Sequence, residues 1–465
     1  MKKLLLLAVA GTALAGSVQA QTVINITGAT AFRTAAVTAI NAAFNSGGSF
    51  SYGFANTDVA AATTSLTNGT NQIWRGTFGT ISGTTIIRTS WNGSIEGVRA
   101  LVAPGGLNNA DYLLTSVASV ALTAGGGTPA TRNFGVDRET AVADLAFSDA
   151  TINSSPLTGT VFGGPVGTVV FSMIANRTWK NDDATATAGL NSISAQQFKT
   201  LAAAGSLPLG FFKGNSTETT RVYLTGRNDG SGTRTIYLAE TGYGIARAVQ
   251  QYVVHDRSSP TNAPIILKTA KGGGFNFQGV ATPDYKSTVW SNDTDGNGGY
   301  VSGGDLRTDL TKTTTSTAVW EFADQDFSDD FDASEDAQVT AAAKLYLLTW
   351  ITASDARSAR GTGLASAATA KVLGYNGVIL DGLAGDNPPS QISVADRAKV
   401  ANGAYTAWSY QQLYHLNSAN QVIVFNSLKA SLNTVAAVGT AGVPLGEMNV
   451  NRSSDGGNIL TGPLP

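Results

Sequence analysis

The 465-residue chain contains no cysteine. That absence excludes disulfides, thiolate catalysis and cysteine-ligated zinc. Only two histidines occur, His255 and His415, which leaves little material for histidine acid–base work or a metal centre. Charge is scarce as well: Asp, Glu, Lys and Arg make up 13% of the residues, and the net charge is −2. Nothing here draws nucleic acid or an anionic membrane by bulk electrostatics. An anionic ligand would have to be held by local dipoles and a few placed donors. What the chain does have is glycine, 53 residues of it, which points to tight turns and close backbone approaches. A hydrophobic share of 42% places the chain among globular proteins, with length enough for two or three cores.

The first twenty residues read as a secretory signal peptide. Lys2 and Lys3 precede an apolar run over residues 4–14, and Val18-Gln19-Ala20 closes a small-residue cleavage site. The mature chain is expected to start near Gln21, in the periplasm or outside the cell. No cysteine follows the cleavage site, so no lipid anchor of the bacterial lipoprotein type is expected. No later segment is long and apolar enough to cross a bilayer.

Beyond Gln21 a rhythm of strand, small-residue turn and helix recurs. TVINI (22–26) is β-branched and alternating; Gly28-Ala29-Thr30 follows, and Phe32, Val37, Ile40 and Phe44 then fall at helical spacing. GTTIIRTS (83–90) leads through Asn92-Gly93-Ser94 into a helix over residues 95–102. TRVYLT (220–225) leads through a Gly-rich turn at 229–233 into a helix ended by Gly242 and Gly244. Such alternation argues an α/β fold. Two stretches break it. Residues 105–138 are polar and Gly/Thr-rich, an expected insertion loop. Residues 292–336 are acidic and expected to project from the surface as a solvated face.

The turn Asp229-Gly-Ser-Gly-Thr233, preceded by Arg227, carries the most chemistry. Glycines let a backbone approach a ligand, and the helix start after them aims free N–H groups at it. Ser231 and Thr233 add hydroxyls, and Arg227 adds a fork suited to a tetrahedral oxyanion. Thr30 and Ser94 stand at the matching places of the other two units. Taken singly, each hydroxyl is a plain N-cap. Asp149 ends the apolar run LAFSDA (145–150), where an acid is ordinarily a cap or turn residue. Beside an anion it would repel, unless the anion carries a proton to donate.

Four separated segments, ITGATAFR (26–33), NGSIEGV (92–98), FSDA (147–150) and RNDGSGT (227–233), together with LGYNGV (373–378) and NGAYTAWSYQQLY (402–414), form an ordered set. In that order they resemble the ligand-contacting motifs of the periplasmic phosphate-binding proteins of ABC transporters. The resemblance implies that Thr30, Ser94, Asp149, Arg227, Ser231, Gly232 and Thr233 contact phosphate, with Phe32 supplying a backbone amide. Asp229 would pair with Arg227 in a second layer. Asp149 would reject sulfate, which at neutral pH lacks the proton that phosphate keeps. The implied partners are inorganic phosphate and a transporter permease, with the protein a monomer needing no cofactor.

The implied fold is a two-lobed, type II periplasmic-binding-protein clamshell with mixed, mostly parallel sheets and two crossover strands. One lobe would comprise residues 21–167 and 374–465, the other residues 168–373 including the acidic insertion. The sequence departs from the family at Ala31, at Ile95-Glu96, and at residues 406–409, where Pro and Arg are missing. Two other classes compete with capture for transport. A surface or adhesion protein could keep the fold and bind phosphate weakly or not at all. An esterase could use Asp149, Ser231 and Arg227, but no histidine or metal cluster accompanies them. Asp293, Asp295 and Asn297 match the start of a calcium loop, yet its twelfth position is Gly304, so a Gly/Asp-rich turn is the simpler reading.

Overall fold

A computed structural model describes residues 21–47, 50–56, 66–67, 69–116, 123–124, 131–133, 138–176, 190–256, 264–269, 290–291, 298–311, 319–321, 337–340, 346–361, 370–385 and 388–464. The expected signal peptide and the calcium-loop residues Asp293, Asp295 and Asn297 lie outside these.

The β-branched opening forms β1 (Thr22–Gly28), and α1 (Arg33–Gly47) follows a single 3-10 turn at Thr30–Phe32. Two antiparallel strands, β2 (Phe50–Asn56) and β3 (Asn71–Gly76), lead to β4 (Thr85–Ser90) and α2 (Ser94–Val102). Next come β5 (Leu145–Ser148) and the long β6 (Phe162–Ala175). After β7 (Ser206–Pro208) and β8 (Arg221–Leu224) the Gly-rich turn feeds α3 (Gly232–Glu240). Helix α4 (Gly303–Thr311), strand β9 (Tyr346–Thr352), helix α5 (Ala353–Arg360), β10 (Lys371–Tyr375), β11 (Trp408–His415) and α6 (Ala419–Leu432) complete the frame.

The fold is α/β around a mixed 14-stranded sheet whose backbone order runs β7-β8-β9-β6-β11-β5-β1-β4-β3-β2. Pairing is parallel at β5-β1-β4 and at β8-β9, and antiparallel where β6 and β11 join those two regions. Strand β6 does the joining. Phe162–Val170 pair with β11, and Phe171–Ala175 continue onto β9, with β10 alongside. A register shift falls between Pro165 and Gly167; proline cannot donate to a ladder, so a bulge is where it fits. Each parallel region therefore ends in loops on the same side as its helix starts, the usual place for a ligand in open α/β sheets.

Aromatic packing holds the frame behind those loops. Phe147 on β5 lies 5.9 Å from Phe32 and 6.0 Å from Trp91, ring centre to ring centre. Across β6, Trp350 lies 6.3 Å from Phe171 and 6.0 Å from Phe198. Each such ring contributes roughly 1.5–3 kcal/mol by burial.

Two expectations change. Within residues 105–138, Ala110–Leu113 is a strand paired antiparallel with Arg138–Ala141, not simply loop. Its Leu113 packs on Ile73 and Ile86, and Arg88 lies over the Tyr112 ring at 5.3 Å. The acidic stretch does not merely project either. Tyr300, Leu306 and Leu310 are fully buried, and α4 packs on α5. Leu306 and Leu310, four apart, form the apolar face that offsets the acidic composition around them.

Candidate functional site

Three helix starts converge where the two parallel regions meet. The 3-10 turn before α1, and the first turns of α2 and α3, carry no side-chain cap. By contrast, the helices beginning at Ala195, Ala353, Val394 and Ala419 are capped by Ser194, Thr352, Ser393 and Ser418. The hydroxyls of Ser94 and Ser231 are thus not spent on their own helices, and the amide of Ile95, beside Ser94, donates to Gly230 O at 3.1 Å, joining the start of α2 to the turn before α3.

Asp149 sits at the centre, 1% exposed. Its Oδ1 accepts a hydrogen bond from the Ser94 hydroxyl, and its Oδ2 accepts one from Thr233 Oγ1 at 3.4 Å. Its carbonyl accepts from Ser409 Oγ at 2.6 Å, which fixes the end of β5. Burial pushes the carboxyl above the ordinary aspartate range; the Ser94 hydrogen bond and the Arg227 charge pull the other way. Gly232 is where the backbone closes on it. A Cβ there would stand 1.6 Å from Asp149 Oδ1 and 2.6 Å from Ser94 Oγ, so no side chain is accommodated. On the other flank Gly28, at φ +123°, would put a Cβ 1.9 Å from the Phe147 carbonyl oxygen. Both contacts bring a helix start against a strand end.

Arg227 is 3% exposed and is held by backbone rather than by acid. Its Nε donates to Tyr300 O at 3.0 Å and its Nη2 to Val301 O at 2.7 Å. That leaves Nη1 directed at Thr30 Oγ1, 3.5 Å away. Burial lowers its pKa while Asp149, Asp355 and Asp305 raise it. The cation therefore faces a field of three carboxylates without being bonded to any of them. Around Gly303, at the start of α4, a Cβ would meet Asp355 Oδ2 at 2.3 Å and Arg227 Nη1 at 3.8 Å. Asp355 is bound by Thr352 Oγ1 at 3.0 Å and lies 3.6 Å from Arg307. Asp305 accepts from Ser302.

The structure thus brings Ser94, Asp149, Gly232 and Thr233 into one buried group, and Arg227 with Thr30 into another beside it. Ser231 is buried at the head of α3, its amide donating to Asn228 O at 3.2 Å. Two expected roles do not hold. The Phe32 amide donates to Ala29 O at 3.2 Å within its own turn, while the ring is buried under β6. Asp229 is exposed and makes no bond to Arg227. The turn carries its side chain outward, to the rim of a cleft of about 510 Å³ lined also by Arg99, Arg234 and Arg247. None of Thr30, Ser94, Asp149 or Arg227 lines that cleft. Glu96 pairs with Arg99 along its own helix, away from the Asp149 group.

Sequence reasoning missed the second half of the arginine clamp. Tyr300 and Val301 belong to the acidic stretch, and the buried aromatic at its start was the available signal.

No family model and no curated protein matches the chain. Among solved structures, an ABC-type phosphate transport receptor from Vibrio cholerae aligns at 10% identity, TM-score 0.35, over 90% of this chain and 95% of its own. PstS from Borrelia burgdorferi aligns at 9% identity, TM-score 0.34, over 90% and 96%. Backbones related this loosely do not fix a function, which has to be argued from the residues.

Proposed function

We propose that this chain is an extracytoplasmic solute-binding protein that captures inorganic phosphate and hands it to an ABC-transporter permease. The lobes would be residues 21–167 with 374–465, and residues 168–373, acting as a monomer with the ligand between them. One observation carries the reading. Residues 30, 94, 149, 227 and 233, far apart in sequence, assemble hydroxyls, a backbone-clamped guanidinium and uncapped helix starts around a single buried acid.

The chemistry of that set favours a protonated oxyanion. Arg227 and the helix amides attract negative charge. An ionised Asp149 in the same space repels it unless one proton lies between them. Monoprotonated phosphate brings that proton; sulfate does not, so sulfate requires Asp149 to be protonated from solvent. Capture rather than hydrolysis fits, because Asp149 is bonded to Ser94 and Thr233 and no base faces Ser231 among the described residues.

Calorimetric titration tests this, using the mature chain stripped of carried-over anion by partial unfolding and dialysis. Phosphate is expected to bind at micromolar concentration or tighter, sulfate not at neutral pH, and Asp149→Asn to admit sulfate. No heat and no thermal stabilisation from either anion would remove the phosphate reading and favour a surface protein on the same fold.

A further inference from the structure

We infer that the cleft with Asp229 at its rim is a second binding site, for an amphipathic organic anion. Such a ligand carries a carboxylate, sulfonate or phosphate head on an apolar body. The inference goes beyond the phosphate reading and does not rest on it. The cleft measures about 510 Å³, inside the range of small-molecule sites, about 300–1,000 Å³. Ser94, Asp149 and Arg227 are buried and none of them lines it, so its occupant is not an anion held among those residues.

The cleft has two walls. One comes from α2 and the segment after β5, with Ile95, Arg99 and Pro156; the other comes from α3 and the loop behind it. The Ile95 amide joins them by donating to Gly230 O at 3.1 Å, so an occupant touching both walls bridges α2 and α3. Three of the lining residues are arginines, Arg99, Arg234 and Arg247, against the single acid Asp229. Each arginine is already held. Arg99 donates to Glu96, and Arg234, only 4% exposed, donates from Nη1 to Gly298 O at 3.5 Å. The Arg247 guanidinium lies 5.8 Å from the centre of the Tyr243 ring, whose hydroxyl donates to Ala248 O at 2.8 Å. Guanidiniums fixed beforehand suit a carboxylate, sulfonate or phosphate and lose little freedom on binding it.

The rest of the lining differs in character. Ile95, Leu238 and Ile245 give the cleft an aliphatic side, and Ile245 is 41% exposed beside the cation of Arg247. An inorganic anion gains nothing from an aliphatic wall, and a neutral apolar ligand gains nothing from three arginines. Both features together select a molecule that is anionic at one end and apolar at the other.

Fluorescence titration with anilinonaphthalene sulfonate, an aromatic sulfonate that brightens on leaving water, tests the site on the mature chain at neutral pH. A sulfonate has no proton to share with Asp149, so the dye reports the cleft rather than the phosphate group. Wild type is expected to bind one dye per chain. Arg247→Glu reverses a charge contact and Ile245→Glu puts an acid on the aliphatic wall; each should weaken binding about tenfold or more. Both positions are exposed, where substitutions leave the fold intact. Val394→Glu, at an apolar residue 73% exposed outside the cleft, should bind within about twofold of wild type. Excess phosphate should leave the dye bound. The inference is overturned by no saturable binding, or by affinity that either cleft variant leaves within about twofold of wild type. An equal loss in Val394→Glu, or competitive displacement by phosphate, overturns it as well. If calorimetry shows no phosphate binding while the dye behaves as expected, the phosphate reading falls and the cleft stands.

Discussion

Two buried arginines sit in this molecule under opposite conditions. Arg452 donates to Glu240 Oε2 and to the Thr406 carbonyl, each at 2.9 Å, and its guanidinium lies 4.3 Å above the Trp408 ring. Arg227, equally buried, has no acid bonded to it among the described residues: its Nε and Nη2 donate to the carbonyls of Tyr300 and Val301, and its Nη1 to Thr30 Oγ1. Glu240, the last residue of α3, places an acid against Arg452, although an acid at a helix C-terminus opposes the dipole. At α3 the protein supplies its own counter-charge. At Arg227 it does not, although Asp149, Asp355 and Asp305 act on that cation by charge. A fold that pairs one buried cation with an acid and holds the other by neutral oxygens separates a brace from a candidate recognition element.

The largest effect that would sharpen this contrast is expected at the brace. Arg452→Met leaves Glu240 buried and unpaired, and the truncation of a buried pair costs about 3–5 kcal/mol. Denaturant unfolding should show that loss, with m unchanged. A loss below about 1 kcal/mol would mean that Arg452 is as dispensable as a surface pair, and the contrast with Arg227 would collapse. Asp149 offers a middle case, a buried charge satisfied by hydroxyls but still pushed up in pKa. An acid with a raised folded-state pKa binds its proton more tightly when folded. Its stabilising contribution is complete below the ordinary aspartate value of 3.8 and is lost as pH rises through the raised value. In phosphate-free buffer the stability difference between Asp149→Asn and wild type should therefore grow in the variant's favour as pH rises from about 4. A flat difference would show that the Ser94 and Thr233 hydroxyls offset the burial completely.

How much of this was legible in the sequence depends on whether the signal was local. The Gly-rich turn before α3 could be read because glycine, hydroxyl and helix start lie within five residues, and the same holds for Gly28-Ala29-Thr30 and Asn92-Gly93-Ser94. The strand–helix alternation followed from the β-branched runs at β1, β4 and β8. The Arg227 clamp could not be read that way, because its acceptors are main-chain oxygens of Tyr300 and Val301, more than seventy residues away, and a carbonyl leaves no trace in residue identity. Composition misled over residues 298–311, because the acids of the wider stretch 292–336 masked Tyr300, Leu306 and Leu310, the residues that decide burial there.

The smallest effect tests the correction at Asp229. The motif resemblance put this acid beside Arg227, yet the carbonyls of Tyr300 and Val301 already occupy Nε and Nη2, and the acid itself is exposed. An exposed carboxylate across solvent contributes little to a buried cation, because water screens it. Asp229→Asn should then leave both stability and phosphate affinity within about 0.5 kcal/mol of wild type, read by unfolding and by calorimetry on the same preparation. A tenfold loss of affinity with stability unchanged would mean that Asp229 turns inward when ligand binds. Arg227 would then exchange a carbonyl for a carboxylate on closure, and the division between an arginine completed by the fold and one completed by the ligand would have to admit a third kind, completed by the motion itself.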